Sequence, residues 1–330
     1  MFSSFAEEHT RPILLPTSDL FVEFIIARSD TLCSVFDYPA AYAGVAAKLL
    51  DKFSFHELCR LHGLPTPGLW HAGDTFALTK LRGGIPYPCI LKPVYIHRAR
   101  SFLKGRKVLI VNSSSELEAL TKTLPEDVGG WVVQEIIPGP ESGITLFGGY
   151  LDKQGQLRHG FTGRKLRQYP PGFGSASLVT SQPCPETRKT ALSFLQKIGF
   201  RGVCGAEFKR DSRDGVLKII EINPRPTLWF QLTHDSGCRV VETLVRDLAG
   251  LEPLPEHLQS EKHAWRYLFK DLASAFFYRF MAASFVLPAT DTSGRRSATG
   301  ASWAVFSASD PVPVLFELTG YLKKFLRRLS

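Results

Sequence analysis

The stretch IIEINPRPT at 219–227 places Glu221, Asn223 and Arg225 at every second position as an apolar run ends. An extended chain repeats its side-chain direction every two residues, so the three polar groups share one face. Just before it, GAEFKRDSRDGVLKIIEINP reads as two strands joined by a turn at Asp211 to Gly215. A register that pairs residues of like parity puts Glu207 on the same face as Glu221 and Asn223, directly opposite or one diagonal away. Two carboxylates across a strand pair repel each other. A divalent cation between them makes the arrangement favourable, and hard oxygen donors shared with substrate phosphates suit Mg²⁺. An exposed hairpin with ordinary surface charge meets the same spacing, so the hairpin alone leaves both readings open.

Length and composition bound what surrounds this hairpin. With 330 residues, 44% of them hydrophobic, the chain can bury a full core and is long enough for two or three sub-domains. The net charge of +9, from 40 basic and 31 acidic residues, suits an anionic ligand such as a nucleotide. No long basic block interleaved with aromatics supports nucleic-acid binding. Six scattered cysteines, with no C-x-x-C pair and no Cys/His cluster, predict a reducing, cytoplasmic setting without structural zinc. MFSSFAEEHTRP lacks the charged start and apolar run of a signal peptide. LASAFFYRFMAASFVLP is broken by Arg279 and ends at Pro288, so no span of a membrane is expected.

Along the chain, Ile13 to Leu15 reads as a strand, followed by a turn at Pro16 to Asp19 and a helix. KLLDKFSFHELCRLHGLPTP reads as a helix with an apolar stripe of Leu50, Phe53 or Ser54, Leu58 and Leu61, a Ser54/Glu57 capping box, and Gly63 and Pro65 at its end. PCILKPVYI and KVLIVNSSSELEALTKTL give strand, strand and helix, with Ser113 to Ser115 as cap candidates. WVVQEIIPG is a further strand. A hairpin around Lys153 to Gly155, a helix over 186–198, the second hairpin and a helix over 237–249 follow. Pro253 and Pro255 mark a linker into C-terminal helices and one strand, SWAVFSASDP. Hairpins mixed with packed helices argue α+β.

INPR after GAEF and a D-x-x-D-G turn resembles the metal-binding hairpin of the ATP-grasp superfamily, in its carboxylate–amine ligase type and carbamoyl-phosphate-synthetase-like branch. The resemblance implies that Glu207, Glu221 and Asn223 ligate Mg²⁺, with Mn²⁺ an open substitute. It also implies that Arg225 stabilises negative charge at the reacting centre. QEIIPGPE resembles the adenine hinge, which would put Gln134 and the backbone of Glu135 and Ile137 at the adenine edge and Glu141 at the ribose hydroxyls. Lys92 in CILKP and Lys52 resemble the lysines that contact nucleotide phosphates. The loop after Lys92 is basic rather than glycine-rich, leaving Arg98, Arg100 and Lys107 as candidates to cover phosphates. In TGRKLRQYPPGFGSAS, Arg164, Lys165 and Arg167 precede a Gly/Pro loop that borders the acceptor substrate in similar ligases.

The resemblance covers roughly residues 12–250. It implies a remnant of a Rossmann-like domain at 1–45, since fuller relatives have more chain before ILLPTSD, then an ATP-grasp N-lobe at 46–135, a C-lobe at 136–250 and a C-terminal helical extension at 251–330. Two α+β lobes would grip ATP and join a small-molecule carboxylate to an amine through an acyl phosphate. A catalytically degenerate nucleotide-binding regulator is the alternative. The C-terminus, LFELTGYLKKFLRRLS, has Leu318, Leu322, Phe325 and Leu329 on one helical face and Lys323, Lys324, Arg327 and Arg328 on the other. It fits either packing on its own domain or contact with an anionic membrane surface. A homodimer is compatible with all of this.

Overall fold

The computed structural model describes residues 11–94, 99–103, 108–126, 128–255, 257–288 and 300–329, with backbone alone at Arg100 and from 321 onward. Two sheets organise it. β1 (Leu69–Ala72), β2 (Cys89–Pro93), β3 (Leu109–Val111) and β4 (Trp131–Glu135) form a small antiparallel sheet in the order β1-β4-β2-β3. The helices Thr75–Leu81 and Ser114–Thr121 cover it, burying Leu78 and Leu117 against Leu91, Trp131 and Val133. Side-chain oxygens of Asp74 and Ser113 cap these two helices at their third amides.

The larger sheet contains β5 (Ile144–Leu151), β6 (Leu157–Tyr169), β7 (Ser175–Ser181), β8 (Gly202–Arg210), β9 (Leu217–Asn223), β10 (His263–Arg266) and β11 (Gly300–Trp303), in the order β11-β10-β7-β6-β5-β8-β9. Its pairs are antiparallel except β10 with β11. Alternation along the strands splits the core into two layers. Phe147, Phe208, Ile219 and Ile222 face the helices Asp19–Ala27, Lys52–Leu61 and Pro185–Lys197. Ile144, Leu146, Phe161 and Val179 face Trp229, Val240, Leu244 and Trp265. These antiparallel sheets with helical layers are the α+β arrangement expected from the sequence.

Several local expectations are corrected. The strand at Ile13 to Leu15 is a single parallel bridge, Ile13 to Asp37, because Pro12 and Pro16 on either side offer no N–H to extend a ladder. The helix Lys52–Leu61 is capped by Asp51, whose Oδ1 accepts from Ser54 N at 2.8 Å, rather than by a Ser54/Glu57 box. Starting there turns Phe55 and Cys59 inward and leaves Leu61 72% exposed. Gly63, at φ +63°, ends it as expected. The helix expected over 237–249 is Val240–Leu248, starting after Gly237 and left-handed Arg239, and a short helix not expected from the sequence, Gln231–Asp235, precedes it. β10 was not foreseen. It pairs with β7 and β11, so the C-terminal segment extends the large sheet. The last helix, Val312–Leu329, leaves Leu315, Phe316 and Leu318 exposed.

Candidate active site

The β8–β9 hairpin sets one wall of a cleft. Glu207 lies directly opposite Glu221 and Gly205 opposite Asn223, and a bulge at Ile220 separates this register from the pairing of Phe208 with Ile219. The extra residue lets both Ile219 and Ile222 turn into the core while Glu221, Asn223 and Arg225 keep the other face. Along that face Asn223 Nδ2 donates to Glu221 Oε1 at 3.0 Å, and Arg225 Nη2 donates to Asn223 Oδ1 at 3.2 Å. Arg225 Nε reaches Asp19 Oδ1 at 2.7 Å. Asp19 opens the helix Asp19–Ala27 behind its cap, Ser18. In the sequence Asp19 stands only as the last residue of the turn at Pro16 to Asp19, and nothing there marks it as a partner of Arg225.

Lys165 reaches across β5 to Glu207, Nζ to Oε2 at 2.5 Å, and is only 3% exposed. Arg164, its neighbour on β6, necessarily takes the opposite face. It donates to Ser142 O at 3.2 Å, and its buried Nε has no partner. The structure therefore separates two cations that the sequence reading grouped. Arg167 leaves the group as well: bulges follow Lys165, and Arg167 pairs with buried Asp271 at 2.7 and 2.8 Å.

The opposite wall comes from the small sheet. Lys92 on β2 donates to Gln134 Oε1 on β4 at 2.5 Å. Burial, then the charge of Lys52, pulls the Lys92 ammonium down to about 7, against the opposing pull of Glu221. Lys52, Lys92, Gln134, Glu221, Asn223 and Asp19 line a cleft of about 160 Å³. Through Asp19, Leu50 and Lys52 it continues into a second cavity of about 460 Å³ that reaches Val94 and Val132. Cations on one wall and carboxylates on the other suit a polyphosphate with its counter-ion. Among the described residues no three His, Cys, Asp or Glu side chains gather to hold a metal. The donor set of Glu207, Glu221 and Asn223 fits a hard divalent cation only with its amide oxygen counted.

Of the hinge residues Gln134 lines this cleft, whereas Glu135, Ile137 and Glu141 line neither cavity. The Glu135 amide donates to Gly68 O at 2.9 Å, and its carboxylate accepts from Gly68 N at 2.9 Å and from Arg213. Ile137 O accepts from Lys209 Nζ at 2.7 Å. Burial pulls Lys209 down to about 8. Glu141 is fully buried, its oxygens taken by the amides of Gln168 and Gly172 and by Tyr278. A carboxylate so enclosed has both oxygens engaged within the protein. Arg98 and Lys107, and the side chain of Arg100, lie outside the described residues.

No protein-family model matches the chain. D-aspartate ligase of Enterococcus faecium is 25% identical over 263 residues, which span 76% of this chain and 62% of that ligase. The chain thus spans less than two thirds of its relative. The biotin carboxylase domain of Hydrogenobacter thermophilus 2-oxoglutarate carboxylase, solved with MgADP, ADP and bicarbonate, superposes with a TM-score of 0.60 at 18% identity, covering 79% of this chain and 59% of that one. An N5-carboxyaminoimidazole ribonucleotide synthetase in complex with ADP gives 0.60 at 14% identity, covering 78% and 65%.

Proposed function

The chain has the ATP-grasp fold, and from that premise we propose that it is an ATP-dependent carboxylate–amine ligase. The observation that carries the reading is the cleft in which Glu221 and Asn223 meet Lys92 and Gln134, with Glu207 paired to Glu221 and Arg225 bonded to Asn223 beside it. In this reading a substrate carboxylate oxygen attacks the γ-phosphorus of ATP and ADP leaves. An amine then attacks the carbonyl carbon of the acyl phosphate, inorganic phosphate leaves, and the amine proton passes to solvent.

No side-chain nucleophile is needed, so the work of the chain is positioning and charge compensation. Lys52 and Lys92 hold the phosphates, with Gln134 orienting the Lys92 ammonium. Arg225, steadied by Asp19 and Asn223, meets charge at the reacting carbon and phosphorus. Lys165 holds Glu207 in place and balances its charge. Mg²⁺, held by Glu207, Glu221 and Asn223, would neutralise the phosphate oxygens. The fold likeness to nucleotide-bound proteins, together with the lysine and amide wall, supports ATP as the nucleotide; Glu135 and Ile137 remain proposed as backbone contacts to adenine.

The name of the Enterococcus faecium relative makes amino-acid carboxylates, D-aspartate among them, the first acids to test. Free cysteines at 33, 59, 89, 184, 204 and 238 support a cytoplasmic setting. No helix among the described residues is long and apolar enough to cross a membrane.

The test is Mg²⁺-dependent ADP release on adding paired acids and amines, with hydroxylamine to trap the acyl phosphate. Hydroxamate formed from one acid, with ADP in equal amount, supports the reading. Nucleotide binding with no ADP release and no hydroxamate across a broad set of acids would overturn it in favour of a non-catalytic nucleotide-binding protein.

A further inference from the structure

Beyond β6 the chain turns through Pro170 to Gly174 and returns as β7. Gly172 sits at φ +88°, and a Cβ on Gly174 would lie 2.1 Å from the carbonyl carbon of Tyr169, so the turn is folded tightly on itself. Two distant parts of the chain hold it. From the segment after β4, Glu141 Oε2 accepts from Gln168 N at 3.0 Å and Oε1 accepts from Gly172 N at 2.7 Å.

From the helix Leu268–Met281, Asp271, Ser274 and Tyr278 occupy one buried face. Asp271 takes both guanidinium contacts of Arg167, Ser274 Oγ donates to Gln168 O at 2.8 Å, and Tyr278 Oη donates to Glu141 Oε1 at 2.6 Å. A carboxylate taken fully out of water is costly unless its oxygens find donors. Here one backbone amide at the end of β6, one of the turn and one hydroxyl of the helix supply them, so the turn, Glu141 and the helix are held to a single arrangement.

We propose that Glu141 and Tyr278 form a strut that positions the 170–174 turn, making the helix Leu268–Met281 a working part of the acceptor end of the site. Glu141 is then a positioning residue, not a nucleotide ligand. The functional half of this inference rests on the ligase reading, in which that turn borders the acceptor. The structural half stands without it.

The test uses the full chain carrying Tyr278→Phe and, separately, Glu141→Gln. It follows amide hydrogen exchange of the peptide covering 166–176, Kd for an ATP analogue with Mg²⁺, and KM and kcat for the acid that the wild type uses. The hydroxyl lost in Tyr278→Phe should speed exchange of that peptide about tenfold, the effect of one buried hydrogen bond. Both variants should leave the nucleotide Kd within about twofold and raise the acid KM more than they lower kcat, an effect that a purely global loss of stability would not produce. Unchanged exchange in folded Tyr278→Phe overturns the strut. Faster exchange with an unaltered acid KM overturns its role at the acceptor. A Glu141→Gln protein that loses about tenfold in nucleotide affinity with normal exchange returns Glu141 to the nucleotide. If Glu141→Gln does not fold, Tyr278→Phe alone decides the strut. Failure of the wild type to bind nucleotide would count against the ligase reading while leaving the exchange result to be judged separately.

Discussion

Two charged clusters depend on β6, and its sequence R-K-L-R supplies both of them. Lys165 belongs to the cluster beside the cleft, where it pairs with Glu207, Glu207 lies opposite Glu221, and Glu221 and Lys52 are exposed. Arg167, two residues on, belongs to the strut region, where Asp271 is 2% exposed between Arg167 and Arg266 and every oxygen of Glu141 is engaged. Density of charge does not separate the two. What separates them is compensation: the strut is closed within the protein, whereas the cleft sets carboxylate against carboxylate and lysine against lysine, an arrangement that a bound polyphosphate and cation would relieve. Substitutions in the first cluster should cost function with little loss of stability, and those in the second should cost stability along with the placement of the 170–174 turn.

The sharpest test of that division is Glu221→Gln, which should lower ADP release about a thousandfold while leaving the melting temperature unchanged, as expected where a charge acts on the reacting groups rather than on the fold. Asp271→Asn should do the reverse. Breaking a buried ion pair costs about 3 kcal/mol, read from denaturant unfolding, and residual protein should still bind nucleotide.

The third test is a pH profile. The free Lys92 ammonium sits at about 7, below its ordinary value, and a polyphosphate beside it favours the charged form. Binding above pH 7 therefore takes up a proton, and affinity falls with rising pH by up to about tenfold per unit, while below 7 it is flat with respect to this group. Calorimetry in buffers of different ionisation heat detects the proton, and Lys92→Met should abolish both proton and slope. The smallest effect belongs to Asp19→Asn, since that carboxylate is half exposed and its pair with Arg225 is screened. A fall in kcat of about threefold with unchanged nucleotide Kd would fit a residue that only steadies Arg225.

How much could be read in advance depended on distance along the chain. The β8–β9 hairpin was legible because its turn, its alternation and the parity of Glu207 and Glu221 all lie within some twenty residues. Three strands of the small sheet and its Ser113-capped helix were legible for the same local reasons, whereas β1 and the helix Thr75–Leu81 were not read. Asp271 lies 104 positions from Arg167, and no local pattern links them. The bulges after Lys165 reassign side chains to faces in a way that simple alternation cannot foresee. The burial of Glu141 was not legible because its motif is local while its partners, Tyr278 and Gly172, are not. β10 is four residues of mixed character that become a strand only because β7 offers an edge.

The central claim is that the cleft between Lys92 and Glu221 binds a nucleotide together with a divalent cation. Calorimetric titration of a non-hydrolysable ATP analogue, with and without Mg²⁺, into the wild type and Glu221→Ala tests it most directly. The account predicts binding by the wild type that strengthens with Mg²⁺ and a loss of that Mg²⁺ dependence in the folded variant. Equal affinity in all four titrations, or none in the folded wild type, would contradict it.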